Sequence, residues 1–177
     1  MEVRDAVSLI RNAVGRGAGT WADLGAGGGT FTRALAETLG AGSVVYAVDK
    51  DAGSLASLST WRGEARVVQV TTDFTTAFEL PGLDEALLDG ILLANALHFV
   101  RDAANVLARL VQRVRVGGKI IIVEYDRREA SRWVPYPIPV SRWPDLAKAA
   151  GLSDPMVVAT RPSAYSGTLY AAVAIRS

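Results

Sequence analysis

The chemistry-bearing residues of this chain fall into a spaced series. Asp23-Leu24-Gly25-Ala26-Gly27-Gly28-Gly29 sets four glycines within five residues, just after a carboxylate. Asp49 and Lys50 follow, then Asp73 and Phe74, then Asn95, Ala96 and His98, then Glu124, Tyr125 and Asp126. Glycine within ordered structure costs stability, so such a run implies that something approaches the backbone closely. A glycine turn that opens a helix aims N–H groups at a ligand. A carboxylate about twenty residues further on accepts hydrogen bonds from ribose hydroxyls in dinucleotide sites. His98 is the only histidine. Its type ionises near neutrality, with an unperturbed pKa of about 6.5, which suits it to moving a proton.

The elements that must hold these residues alternate. Val3, Val7, Ile10 and Val14 recur at helical spacing and predict an amphipathic helix. "GTWADLG" predicts a short strand, and "TFTRALAETLG" a helix ending at Gly40. "SVVYAVD", "ARVVQVTTD", "LLDGILLANAL" and "GKIIIVEYD" predict further strands, rich in β-branched residues. "DAGSLASLSTW" predicts a helix capped by an acid and weakened by Gly53, and "DAANVLARLVQRVRVGG" one long helix with a glycine stop. "DPMVVATR" and "GTLYAAVAIRS", separated by "PSAYS", predict an antiparallel pair at one sheet edge. Apolar strands alternating with helices mean a parallel sheet covered on both faces. In such sheets ligands sit beyond the carboxyl ends of the strands, where the polar series falls.

Composition narrows the functions. The 177 residues suit one domain with a substantial core. Net charge is +1, from 19 basic and 18 acidic residues, which argues against nucleic acid or an anionic membrane as partner. The lack of cysteine excludes disulfides and thiolate metal sites and suits a cytoplasmic protein. One histidine excludes a His-rich metal site, so no metal is assigned. "MEVRDAVSLIRNAVGRG" has no apolar run of the signal-peptide kind. No apolar stretch has the length and continuity to span a bilayer.

A dinucleotide fingerprint wants G-x-G-x-x-G or A. Gly25 and Gly27 fit it, but Thr30 stands at the third position. The pattern D-L-G-x-G-x-G instead resembles the class I S-adenosylmethionine-dependent methyltransferases, over nearly the whole chain. The resemblance implies an α/β, Rossmann-like, three-layer single domain over residues 1–177. Its mostly parallel seven-stranded sheet would end in an antiparallel hairpin. It further implies S-adenosylmethionine as cofactor and a small-molecule methyl acceptor. Gly25, Ala26, Gly27 and Gly29 would admit the amino-acid part of the cofactor, with Asp23 holding that region. Asp49, beside Lys50, would accept from the ribose hydroxyls, and Asp73 from the adenine amino group, with Phe74 against the ring. Asn95 and Ala96 would line the methyl-transfer region. His98 matches a histidine often found there and is the candidate general base.

Each residue also has a plainer structural use. The glycines would serve a tight turn, Asp49 or Asp73 a cap, Asn95 the loop backbone, and His98 a half-buried loop. Glu124 to Asp126 read equally as a surface rim or a substrate contact. Two other functions compete: a cofactor-binding module without catalysis, and a nicotinamide-dependent reductase. Thr30 and the lack of an obvious Tyr-x-x-x-Lys pair count against the reductase. No N-P-P-Y signature of amino methylation is present. Finally, Trp133, Val134, Tyr136 and Ile138 lie among prolines that bar a helix. That segment is read as a lid or pocket wall, as a homo-oligomer interface through Trp133–Pro139, or as a strap on the core. Trp143 and Leu146 beyond it are assigned to a helix packed on the sheet.

Overall fold

A computed structural model of the chain describes residues 1–83, 86–127, 129–163 and 167–177. The elements run α1 (Val3–Val14), β1 (Thr20–Leu24), α2 (Thr30–Leu39), β2 (Val44–Asp49), α3 (Ala52–Leu55), β3 (Arg66–Thr71) and β4 (Leu88–Ala94). They continue with α4 (Ala103–Val111), β5 (Val114–Tyr125), α5 (Trp143–Ala149), β6 (Met156–Pro162) and β7 (Thr168–Ile175). Among the described residues the strands form one seven-stranded sheet in the order β3-β2-β1-β4-β5-β7-β6. β1 to β5 pair in parallel, and β7 runs antiparallel to both β5 and β6. This is the Rossmann-like arrangement with a C-terminal antiparallel hairpin. Of the "PSAYS" link in that hairpin, residues 164–166 lie outside the described residues.

Strand alternation builds the layers. Leu24, Val48, Ile91, Leu93 and Ile122 join one core with α4 and α5. Their neighbours Trp21, Val45, Leu92, Ile121 and Val123 join another with α1 and α2. Each such side chain contributes roughly 1.5–3 kcal/mol by leaving water. A slip of one residue would exchange the two sets, so burial on both faces holds the register. Lys119 Nζ on β5 donates to the carbonyls of Ala13 and Val14 at 2.9 and 2.8 Å. A cation thus meets the open C-terminal end of α1, where the helix dipole favours it.

Two elements differ from expectation. The long helix predicted over 102–118 ends at Val111, and β5 starts at Val114. Leu110 and Val114 stand four apart, so helical spacing continues on paper past the real end. In the fold Val114 is buried and pairs with Leu88, while Arg115 reaches Asp89 at 2.7 Å. The β-branched valines favour extended backbone. The pairing then shifts register before Gly90 meets Lys119, with Gly117 at φ 75° inside the irregularity. The second difference follows Asp51. That residue caps α3 by accepting from Gly53 N, but α3 lasts only to Leu55 and a 3-10 turn covers Ala56–Thr60. Among the described residues no helix is long and apolar enough to cross a membrane.

Candidate functional site

The polar series converges at the carboxyl ends of the strands. After β1 the chain turns sharply: Gly25 N and Ala26 N donate to Val48 O at 2.8 and 3.0 Å. Gly25, Gly27 and Gly29 all have positive φ, at 78°, 50° and 78°. A Cβ on Gly25 would stand 2.6 Å from the Ala96 Cβ, and one on Gly29 would overlap Leu58. Gly27 is different, since a Cβ there meets nothing within 4 Å. Asp49 braces the turn from β2. Its Oδ2 accepts from Gly27 N at 2.8 Å and its Oδ1 from Asp51 N at 2.9 Å. The helix cap considered for Asp49 is therefore made by Asp51.

A cavity of about 620 Å³ opens beside this turn. Gly25, Gly27, Asp49, Lys50, Asp73, Phe74, Asn95 and Ala96 line it. The Thr75 hydroxyl and backbone N–H both donate to Asp73 Oδ1 and hold its carboxyl below the usual range. Asp73 is thus an ionised acceptor at neutral pH, and it also makes the turn bond its plainer reading required. Three assigned residues lie elsewhere. Ala26 lines a smaller cavity of about 350 Å³, next to Gly28, Phe31, Tyr125 and Arg161. Gly29 caps α2. Asp23 is buried below the turn, where its Oδ2 accepts from the Thr32 hydroxyl at 2.6 Å. Its Oδ1 has no partner among the described residues, and burial pushes its pKa up to about 7.

A third cavity, about 660 Å³, adjoins the first. Phe99, Tyr125, Trp133 and Val134 supply its apolar walls, His98 and Asn95 its polar ones. The proline-rich segment forms part of that wall and is pinned to the body. Tyr136 N donates to His98 O at 3.0 Å, the Tyr170 hydroxyl to Ile138 O at 2.7 Å, and Val140 N to Asp126 Oδ1 at 3.1 Å. Val134 and Ile138 are buried, whereas Trp133 is 74% exposed. The segment is thus a pocket wall with strap-like anchors. Arg128, at its start, lies outside the described residues. Trp143 and Leu146 are buried on α5, as expected.

His98 departs from its half-buried reading. Only 2% of it is exposed, and its Nδ1 lies 2.5 Å from Glu124 Oε2. Glu124 is fully buried, so the surface-rim reading of that residue is wrong. A sequence signal existed. Glu124 shares a strand face with Ile120 and Ile122, and an acid in an inward register needs a partner. Asn95 joins the three cavities. It is the one described non-glycine residue with positive φ, at 53°, and its Oδ1 is buried without a partner among the described residues. Strained, unpaired polar groups of this kind cluster at functional sites.

A family model described as a methyltransferase domain matches residues 22–122, more than half of the chain. The chain belongs to the class I S-adenosylmethionine-dependent methyltransferases. Solved structures share the fold of this methyltransferase. The YcgJ protein of Bacillus subtilis superposes with a TM-score of 0.74 at 11% identity, over 98% of each chain. A Burkholderia thailandensis 1,6-didemethyltoxoflavin-N1-methyltransferase, bound to 1,6-didemethyltoxoflavin and S-adenosylhomocysteine, gives 0.72 at 22% identity, over 99% of this chain and 78% of its own. The magnesium protoporphyrin IX methyltransferase of Synechocystis, with S-adenosylmethionine bound, gives 0.66 at 16%, over 99% and 78%. No curated protein matches the chain.

The methyltransferase's residues fit its cofactor. Gly27 lines the first cavity, and its side-chain position is open, since a Cβ there would meet no atom within 4 Å. Asn95, whose Oδ1 is buried without a partner among the described residues, stands at the junction of the cavities. Among the described residues no group of three or more His, Cys, Asp or Glu side chains is arranged to hold a metal ion.

Proposed function

We propose that the chain transfers a methyl group from S-adenosylmethionine to a small molecule held in the Trp133 cavity. The observation that carries this reading is Asn95, which lines the glycine-turn cavity and the Trp133 cavity at once. A donor in the first and an acceptor in the second would meet there. In this reading Asp49 accepts from the ribose hydroxyls and Asp73 from the adenine amino group. Phe74 packs on the ring, with Lys50 beside it. Gly25 to Gly29 admit the amino-acid end, and Asp23 supports that turn from below through Thr32. Asn95 and Ala96 border the reacting groups.

When bound, the cofactor supplies a methyl group already activated on a sulfonium. The chain's own task is then to align an acceptor atom with it and to exclude water. The aromatic walls of the second cavity serve both ends. The small net charge and the largely apolar cavity favour a small molecule over nucleic acid.

Two experiments test this. Asp49→Ala is expected to weaken S-adenosylhomocysteine binding by about 1–3 kcal/mol in calorimetry, the scale of hydrogen bonds to a charged group. Unchanged affinity, or comparable affinity for NAD, would defeat the assignment. Trp133→Ala is expected to raise acceptor KM by about 3- to 10-fold, the scale of one aromatic contact. S-adenosylhomocysteine affinity and solution mass should stay as in the wild type. A loss of mass in light scattering would instead make the Trp133 face a contact between copies of the chain.

A further inference from the structure

The buried His98–Glu124 pair has no part in the cofactor contacts above, yet its histidine lines the Trp133 cavity. We infer that the acceptor is a flat aromatic or heteroaromatic compound that still carries a proton on its reacting O–H or N–H at neutral pH. Glu124 is then the positioning residue that enables His98 to take that proton. This inference rests on the methyl-transfer reading and adds the acceptor class to it.

The cavity sets the shape. Phe99 and Trp133 are 56% and 74% exposed, and Tyr125 joins them around one space. Exposed aromatic faces grouped around a cavity mark a binding surface for an apolar partner, and ring faces stack best on another ring. The His98 ring lies within this set. Its centroid is 4.4 Å from that of Phe99 and 6.1 Å from that of Tyr125.

The pair sets the reactivity. Glu124 Oε1 accepts from His98 N at 3.2 Å, Oε2 lies 2.5 Å from His98 Nδ1, and the Leu97 backbone N–H also contributes. Burial pushes the Glu124 carboxyl up, and these three donors oppose it. The net direction stays upward, so the proton of the short contact belongs to the pair; the two backbone N–H donors on the carboxyl favour the form with that proton on Nδ1 and Glu124 as its acceptor. Nε2 is then the ring nitrogen left with a lone pair, on a residue that lines the cavity. Tyr136 N fixes the His98 carbonyl at 3.0 Å, so the ring sits on a fastened backbone. Other ionisable groups near the pair among the described residues include Tyr170 and Arg127. Burial pushes the Tyr170 hydroxyl on β7 up and keeps it neutral, and the Glu124 and Asp126 carboxyls add to that. Arg127 lines the cavity.

The step balances. The acceptor oxygen or nitrogen takes the methyl group as its own proton passes to His98 Nε2. The electron pair of the broken C–S bond stays on sulfur, which ends as a neutral thioether. The imidazolium so formed lies against the Glu124 carboxylate, which stabilises it as in other histidine–carboxylate pairs.

The test compares wild type, His98→Ala and Glu124→Gln on ring-substituted phenols and naphthols. The series runs from fully protonated to fully ionised at neutral pH. S-adenosylhomocysteine calorimetry comes first, and all three proteins are expected to bind alike. A wild type that fails there defeats the methyl-transfer reading itself, before any acceptor is added. With protonated acceptors, His98→Ala should lower kcat by about 10²–10⁴-fold, and Glu124→Gln by a smaller factor. Both losses should fade for acceptors that are already ionised. Equal losses across the series would reduce the pair to a structural contact. A wild type that binds S-adenosylhomocysteine but methylates none of the series would overturn the acceptor class. His98→Gln carries the same comparison if His98→Ala does not fold.

Discussion

Gly25→Val is expected to abolish measurable S-adenosylhomocysteine binding and to lower stability by roughly 2–5 kcal/mol. Two costs add at this position. The backbone is at φ 78°, a region that a β-branched side chain adopts only under strain. The first carbon of the new side chain would stand 2.6 Å from the Ala96 Cβ and 3.5 Å from Phe74. Both neighbours line the glycine-turn cavity, so relief of the overlap must deform it. Gly27→Ala is the internal comparison. Its φ is also positive, but its Cβ meets no atom within 4 Å. It should fold with a cost of about 1–2 kcal/mol, and still lose affinity because Gly27 lines the glycine-turn cavity. Calorimetry and urea melts on both variants check this. A Gly25→Val chain with wild-type affinity and midpoint would remove the turn from the binding site.

Chain stability is expected to fall as pH rises from about 4 to about 7, with Asp23 responsible for a decline on the order of 4 kcal/mol. The carboxyl is fully buried, and burial raises its pKa from the ordinary 3.8 to about 7; the Thr32 hydroxyl opposes the shift and the Asp49 charge adds to it. Between those values the folded chain keeps a proton that the unfolded chain has lost. The stabilisation is therefore complete below the unfolded pKa and gone once pH has risen through the folded one. Urea melts at a series of pH values measure the slope. Asp23→Asn does not titrate and should flatten it, whatever the variant's absolute stability. Parallel pH curves for the two proteins would show that Asp23 is not the source.

The layers and the gathering of the glycine turn, Asp49, Asp73 and Asn95 at one sheet edge were legible in the sequence because each depends on neighbours along the chain. The alternation of Trp21 with Ala22, or of Ile121 with Ile122, assigns each side chain to a face before any partner is known. The D-L-G-x-G-x-G run states its own need for unusual backbone. Asp49, Asp73 and Asn95 follow strand patterns that end just before them, so their place at the carboxyl edge follows from parallel pairing alone. The fold decided what depends on distant partners. Leu110 and Val114 keep helical spacing, and only pairing with Leu88 shows that the second belongs to a strand. Asp49 and Asp51 are both plausible caps, and only the position of Gly27 N assigns one to the turn and the other to α3. His98 and Glu124 are 26 residues apart on different elements. The strand face that Glu124 shares with Ile120 and Ile122 signals that it needs a partner, but nothing local to either residue reveals that the partner is the other. Likewise the prolines of 135–139 excluded a helix from sequence alone, but the bonds to His98, Asp126 and Tyr170 that make the segment a cavity wall exist only once β5 and β7 lie side by side.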